Sequence, residues 1–209
     1  PAMMPGQAEV YIVDDDEAVR KSLCWLIESA DHATLAFASA EALLEDFEPE
    51  SPCCLITDVR MPGMGGLNLL SKILLQNDLV PVVVITAHGD IAMAVDAMKK
   101  GAFDFVEKPF DETALLTVVD RALAESTARH EALARDSDLL ACLERLTPRE
   151  RQVMELIVAG SPNRAVAEDL KISEKTVEAH RARIMEKMQA VSFADLVARV
   201  VEGRLSQSD

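Results

Sequence analysis

Val80-Pro81-Val82-Val83-Val84-Ile85-Thr86 is the strongest strand signal in the chain, an apolar and largely β-branched run without polar alternation. Such a run suits a strand covered on both faces rather than one wetted on one side. It lies between two stretches of helical spacing. Leu67 to Leu75 precedes it. Ile91 to Lys100 follows and stops at Gly101, a residue type that ends helices.

The same alternation continues in both directions. Glu9-Val10-Tyr11-Ile12-Val13 is a first strand, and Glu17 to Ala30 a helix with apolar Val19, Leu23, Leu26 and Ile27. Ala33 to Phe37 is a weaker strand. Ser39 to Phe47 is a short helix that opens at a Ser cap. Cys53 to Thr57 is the third strand, Phe103-Asp104-Phe105-Val106 the last, and Asp111 to about Ala124 the last helix of the series. Strands alternating with helices predict a parallel sheet with helices on both faces. The expected fold is α/β: a flavodoxin-like, doubly wound, five-stranded sheet. Sites in that architecture form at the carboxyl ends of the strands, beside the point where strand order reverses.

Beyond residue 125 the pattern changes. Residues 126–144 are rich in Ala and charge, contain no Gly or Pro, and predict a helical linker that a coiled-coil dimer seam would also fit. From residue 145 to 209 strand signals stop, and four short helices follow. Thr147-Pro148-Arg149-Glu150 places a cap, a Pro at the first helical position and a Glu in the capping-box place. That helix ends at Gly160. Ser161-Pro162 opens the second, Ser173 caps the third, which runs to about Met188, and Ser192 opens the fourth. Helix, tight turn, helix is the helix-turn-helix pattern. The domains expected are therefore 8–125, the linker 126–144, and a small all-α unit at 145–209.

Charge divides the same way. The formal net charge is −15, but residues 145–209 hold 11 Lys/Arg against 10 Asp/Glu, while the rest hold 10 against 26. An acidic unit joined to a near-neutral one suggests two domains with different partners. Hydrophobic residues are 49% and aromatics 4%, so the core must be mainly aliphatic. No apolar run nears the roughly 20 residues that span a bilayer. No secretory signal opens the chain, and Pro1-Ala2-Met3-Met4 reads as a cloning scar ahead of a natural Met. Cys24, Cys53, Cys54 and Cys142 form no CxxC pair; free thiols in a reducing cytoplasm are expected, and no zinc site.

The strand ends carry the chemistry. Asp14 and Asp15 follow the first strand, Asp58 ends the third, Thr86 the fourth, and Lys108 follows the fifth. Carboxylates gathered there repel one another by about 4 kcal/mol per pair at 4 Å. A hard cation, Mg²⁺, is the expected counter-ion. Mg²⁺ with a carboxylate, a hydroxyl and an ammonium suits phosphoryl transfer. Asp58, alone at a central strand end before Met61-Pro62-Gly63, is the expected nucleophile, forming an acyl phosphate.

Val13-Asp14-Asp15-Asp16, Thr57-Asp58-Val59-Arg60-Met61-Pro62-Gly63-Met64-Gly65-Gly66, Thr86-Ala87-His88-Gly89-Asp90 and Gly101 through Phe110 with Lys108-Pro109 together resemble a response-regulator receiver domain of the FixJ type. That resemblance implies that Asp58 accepts a phosphoryl group from a sensor histidine kinase. It implies Mg²⁺ on Asp15, Asp58 and the Arg60 backbone carbonyl, with Asp14 acting through water. Thr86 would bind the phosphoryl oxygens, Lys108 would pair with the phosphoryl group across a cis bond to Pro109, and Phe105 would be the rotating aromatic of the switch.

Leu146-Thr147-Pro148-Arg149-Glu150 through Arg199 resembles the LuxR-type helix-turn-helix of the NarL/FixJ regulators. Here Ser161-Pro162-Asn163-Arg164 departs from the common Ser-Asn-Lys, with Arg164 keeping the charge. Glu178, Ala179 and Ala182 are expected to face bases. Lys175, Thr176, Arg181, Arg183 and Lys187 suit the DNA backbone. His180 is read as packing or phosphate contact. The resemblance implies a cytoplasmic transcription regulator that dimerises when phosphorylated, binds promoter DNA and meets RNA polymerase. It is expected to catalyse only its own phosphoryl transfer and slow self-dephosphorylation. An aspartyl-phosphate phosphohydrolase is the alternative enzyme, but Arg60 stands where such enzymes place a second acid. A phospho-switch adaptor that ignores DNA is the alternative binding protein.

Overall fold

The computed structural model describes residues 9–45, 47–49, 51–87 and 91–205. The Pro1-Ala2-Met3-Met4 opening, the His88-Gly89-Asp90 part of the motif that starts at Thr86, and residues 206–209 lie outside the described residues. The chain divides into two compact units, Pro1–Glu131 and Ala132–Asp209.

The first unit alternates β1 (Glu9–Val13), α1 (Glu17–Glu28), β2 (Ala33–Phe37), α2 (Ala40–Leu44), β3 (Cys53–Asp58), α3 (Gly66–Gln76), β4 (Val82–Ala87), α4 (Ile91–Lys99), β5 (Asp104–Lys108) and α5, which begins at Glu112. All five strands are parallel in the order β2-β1-β3-β4-β5. Order reverses between β1 and β3, so a crevice opens at their carboxyl ends.

Residues in a strand point alternately to opposite faces. Cys53 and Leu55 of β3 join Val82 and Val84 of β4 on one face, with Leu69, Leu70 and Ile73 of α3 and Ala97 of α4. Cys54 and Ile56 join Val83 and Ile85 on the other, under Leu23, Leu26 and Ile27 of α1 and Leu115 and Val119 of α5. Continuous apolar runs hold for the central strands only. The edge strands β2 and β5 mix half-buried with exposed residues, strictly alternating only in β5, because each lacks one neighbour. Pro81 falls before β4: it has no N–H for the ladder, yet its carbonyl accepts from Leu55 N at 3.0 Å.

α5 runs without interruption from Glu112 to Glu144, through the expected linker. Ser126, assigned to the linker from sequence, is fully buried in the first unit. Its hydroxyl donates to the Leu79 carbonyl at 3.0 Å and accepts from Cys53 N at 3.1 Å.

The second unit holds the end of α5, then α6 (Pro148–Val158), α7 (Asn163–Leu170), α8 (Glu174–Lys187) and α9 (Phe193–Leu205). Val153, Ile157, Val166, Val177, Ile184, Met188 and Leu196 form its core. The α7–α8 turn is made by Lys171 in a left-handed conformation (φ 54°, ψ 46°) and by Ser173, whose hydroxyl caps α8 by accepting from Thr176 N.

Candidate functional site

Asp14 follows β1 and is buried; Asp58 closes β3. Lys108, at the end of β5, reaches both: its Nζ is 2.9 Å from Asp14 Oδ2 and 2.7 Å from Asp58 Oδ1. Burial alone would lower the lysine's pKa, but the hydrogen bonds and charges of Asp58 and Asp14 outweigh it and hold the ammonium above its ordinary 10.5. The Lys108–Pro109 bond is cis. The other Asp58 oxygen, Oδ2, accepts from Arg60 N at 2.7 Å. Each carboxylate oxygen of Asp58 thus has a donor.

The surrounding backbone closes tightly. Val59 N donates to the Ile85 carbonyl at 2.9 Å, and the Val59 carbonyl accepts from Gly66 N at 3.0 Å. A Cβ on Gly66 would stand 2.1 Å from the Asp58 carbonyl oxygen, so no side chain fits there.

Asp14 and Asp58 converge on Lys108, but Asp15 is exposed, and among the described residues no three His, Cys, Asp or Glu side chains gather closely enough to hold a metal. A lysine ammonium neutralises two carboxylates, and the third turns to water, where its charge costs least. The donor set still fits Mg²⁺, which binds through one or two carboxylates and keeps several waters. Asp16 serves the helix instead: its carboxylate caps α1 by accepting from Ala18 N and Val19 N. Arg20, which sequence reading passed over, holds the loop from α1 through a 2.6 Å bond from Nη1 to the Asp14 carbonyl.

Thr86 is buried at the end of β4, and Phe105 of β5 is 42% exposed. With Ala94, Val95, Met98 and Glu107 they line a groove of about 390 Å³ between α4 and β5. Exposed Val95, Met98 and Phe105 make this face apolar.

On α8 the outward residues are Lys175, Thr176, Glu178, Ala179, Ala182 and Arg183, with the acidic Glu174 and Glu186. Two basic residues expected among them are occupied within the fold. Arg181 Nη1 donates to Asn163 Oδ1 at 3.2 Å, and its guanidinium lies 4.9 Å from the Phe193 ring centre. Lys187 Nζ is 2.7 Å from Oε2 of buried Glu150. That bond, ahead of burial, decides the Glu150 pKa, taking it from 4.5 to about 2. Arg164, on α7, is exposed and pairs with Glu168 at 3.0 Å. His180 is half-buried, and its Nδ1 has no partner among the described residues. The capping box was legible in sequence; the Glu150–Lys187 pair, across 37 residues, was not.

Residues 10–120 match the response regulator receiver domain, and residues 144–200 match the bacterial regulatory proteins of the luxR family. The chain belongs to the two-component response regulators. It resembles the transcriptional regulatory protein FixJ of Rhizobium meliloti (strain 1021), 44% identical over 202 residues and covering 95% of this chain and 98% of that protein. It also resembles the response regulator protein TodT of Pseudomonas putida, 42% identical and covering 95% of this chain and 87% of that one. Among solved structures, the response regulator StyR superimposes with a TM-score of 0.84 at 41% identity, covering 94% of this chain and 100% of that one. Full-length FixJ from B. japonicum gives 0.59 at 38% identity, covering 96% and 98%. This response regulator is a DNA-binding, phosphorylation-dependent transcription regulator rather than a classical enzyme. No helix of its described residues is long and apolar enough to cross a membrane.

Proposed function

We propose that Asp58 is the phosphoacceptor and that its phosphorylation drives pairing of two chains on promoter DNA. The carrying observation is the pair of bonds on its carboxylate, Lys108 on Oδ1 and Arg60 N on Oδ2. An Asp58 oxygen attacks the phosphorus of a kinase phosphohistidine. A P–O bond forms, the P–N bond breaks, and the imidazole leaves with the electron pair and takes a proton from solvent. Lys108 then balances part of the added charge, about −1.5 to −2. Asp15, Asp58 and the Arg60 carbonyl would hold Mg²⁺, with Asp14 acting through water. When bound, Mg²⁺ supplies further neutralisation of the transferring phosphoryl group.

Thr86 moves towards the phosphoryl oxygens, and Phe105 enters the groove it borders. The α4–β5 face, residues 94–100 with Asp104, then pairs with a second copy, and α9 pairs on DNA. Lys175, Thr176 and Arg183 contact phosphates, with Arg164, Arg181 and Lys187 adding to the positive field. Glu178, Ala179 and Ala182 face base edges. The receiver is bounded at 8–125, the linker at 126–144 and the DNA-binding unit at 145–209. The protein works in the cytoplasm, activates transcription by meeting RNA polymerase, and dephosphorylates itself slowly.

Light scattering of the full chain with acetyl phosphate and Mg²⁺, beside Asp58→Asn, tests this. A mass that doubles in the wild type alone is expected. An unchanged mass in both overturns phosphorylation-driven pairing.

A further inference from the structure

The turn that follows Asp58 is held from outside the acidic site. Gly63 is left-handed, at φ 74°, between Pro62 and Met64. The Met64 N–H donates to Oε1 of Glu41, on α2, at 2.8 Å. Glu41 approaches closely enough that a Cβ on Gly63 would stand 2.8 Å from the same oxygen. The residue that permits the left-handed backbone is therefore also the residue that makes room for the carboxylate.

The rest of the loop is anchored near its ends. Val59 is tied by Ile85 and Gly66, and Gly66 begins α3. Between them Arg60 N reaches back to Asp58 Oδ2 at 2.7 Å. The Met61–Met64 turn is one chain step beyond that amide, and Glu41 holds its far end. Backbone amides, its own and that of Met64, keep the Glu41 carboxyl below its ordinary value, so it is an anionic acceptor throughout the neutral range.

We propose that Glu41 is a positioning residue for phosphoryl transfer: by holding the Met64 amide it sets the turn that aims the Arg60 amide at Asp58. It touches neither Asp58 nor the phosphodonor. The inference rests on Asp58 being the phosphoacceptor.

The test uses the full chain with Glu41→Gln, Glu41→Asp and Glu41→Ala. Gln keeps the reach and loses the charge, whereas Asp keeps the charge and loses the reach. Two readouts are taken beside a thermal melt that verifies folding. One is hydrogen exchange of the Met64 amide, without Mg²⁺ or phosphodonor. The other is the initial rate of phosphoryl uptake from acetyl phosphate at saturating Mg²⁺, read on a phosphate-affinity gel. Glu41→Ala and Glu41→Asp are expected to exchange Met64 faster and to take up phosphoryl groups about tenfold more slowly, as small misplacements near reacting groups do. Glu41→Gln is expected within about twofold of wild type, because its amide oxygen accepts the same bond. Wild-type uptake in Glu41→Ala overturns the proposal. So does an equal loss in Glu41→Gln and Glu41→Ala, which would assign the effect to charge. Wild type that takes up no phosphoryl group at all removes the Asp58 reading and this one with it; normal uptake in wild type with an unaffected Glu41→Ala removes this one alone.

Discussion

Glu150 Oε2 and Lys187 Nζ stand 2.7 Å apart and join the first turn of α6 to the last turn of α8. The neighbours of Glu150 make similar ties. Arg149 donates to the Leu170 carbonyl at the end of α7, and Arg151 donates to the Leu143 carbonyl near the end of α5, at 3.0 Å. Three consecutive side chains therefore hold three helix ends, and α8 is tied by one of them as well as by its buried Val177 and Ile184.

Acid should loosen this unit through Glu150. Its folded-state pKa, about 2, is below its ordinary 4.5. A depressed carboxyl stabilises above the ordinary value, and that stability is lost as pH falls from 4.5 towards 2. Glu150→Gln keeps the capping box but removes the charge. It is expected to cost about 1–3 kcal/mol at neutral pH and to flatten the acid limb. Helical circular dichroism against pH and denaturant, for both proteins, checks this.

Replacing basic residues of α8 should separate two classes. Lys175 and Arg183 are exposed, so each Ala variant should weaken binding to all DNA sequences alike and reduce the salt slope by about one. Lys187→Ala should instead cost folding, about 2–3 kcal/mol, by stranding buried Glu150. Its salt slope should fall by less than that of either exposed residue, because its charge is shared with Glu150. Fluorescence anisotropy on a DNA duplex at several salt concentrations, with melts, distinguishes them.

Gly66→Ala should disable the receiver. The new Cβ would meet the Asp58 carbonyl oxygen at 2.1 Å and Thr57 Oγ1 at 3.0 Å, and the first is backbone that cannot step aside. A loss of about 3 kcal/mol is expected, with phosphoryl uptake lost as Asp58 shifts. Urea melts and acetyl phosphate labelling read the two effects.

Alkali should release Lys108. Its pKa is raised in the folded state, so its stabilising contribution is complete below the ordinary 10.5 and falls away as pH rises beyond it. Lys108→Met, which keeps the stem, is expected to remove that alkaline limb and to abolish uptake. Thermal melts taken in steps through pH 10.5, for wild type and variant, give the comparison.

The fold was legible because its signals are local. Apolar runs in β3 and β4, helical spacing between them and the caps at Ser39, Thr147 and Ser173 each depend on a few adjacent residues. A parallel sheet follows once strands alternate with helices. The acidic site was legible for a related reason. Residue types at strand ends are brought together by the architecture, so Asp14, Asp58 and Lys108 could be assigned to one crevice before any distance was measured.

Partner choice was not legible. Sequence assigned Asp15 to the acidic site and Lys187 to the DNA-binding helix, but it did not show that Asp15 is exposed or that Lys187 bonds Glu150. Nor did it show that Ser126, the first residue of the assigned linker, is buried. It passed over Glu41 and Arg20, whose targets are backbone groups of loops 23 and 6 residues away. Periodicity and residue type are properties of a short window and specify the elements, their order and the kind of chemistry at their ends. Which charge meets which depends on where remote segments come to rest. A charged side chain can be satisfied by water, by backbone or by any ion within reach, and only the folded chain selects among them.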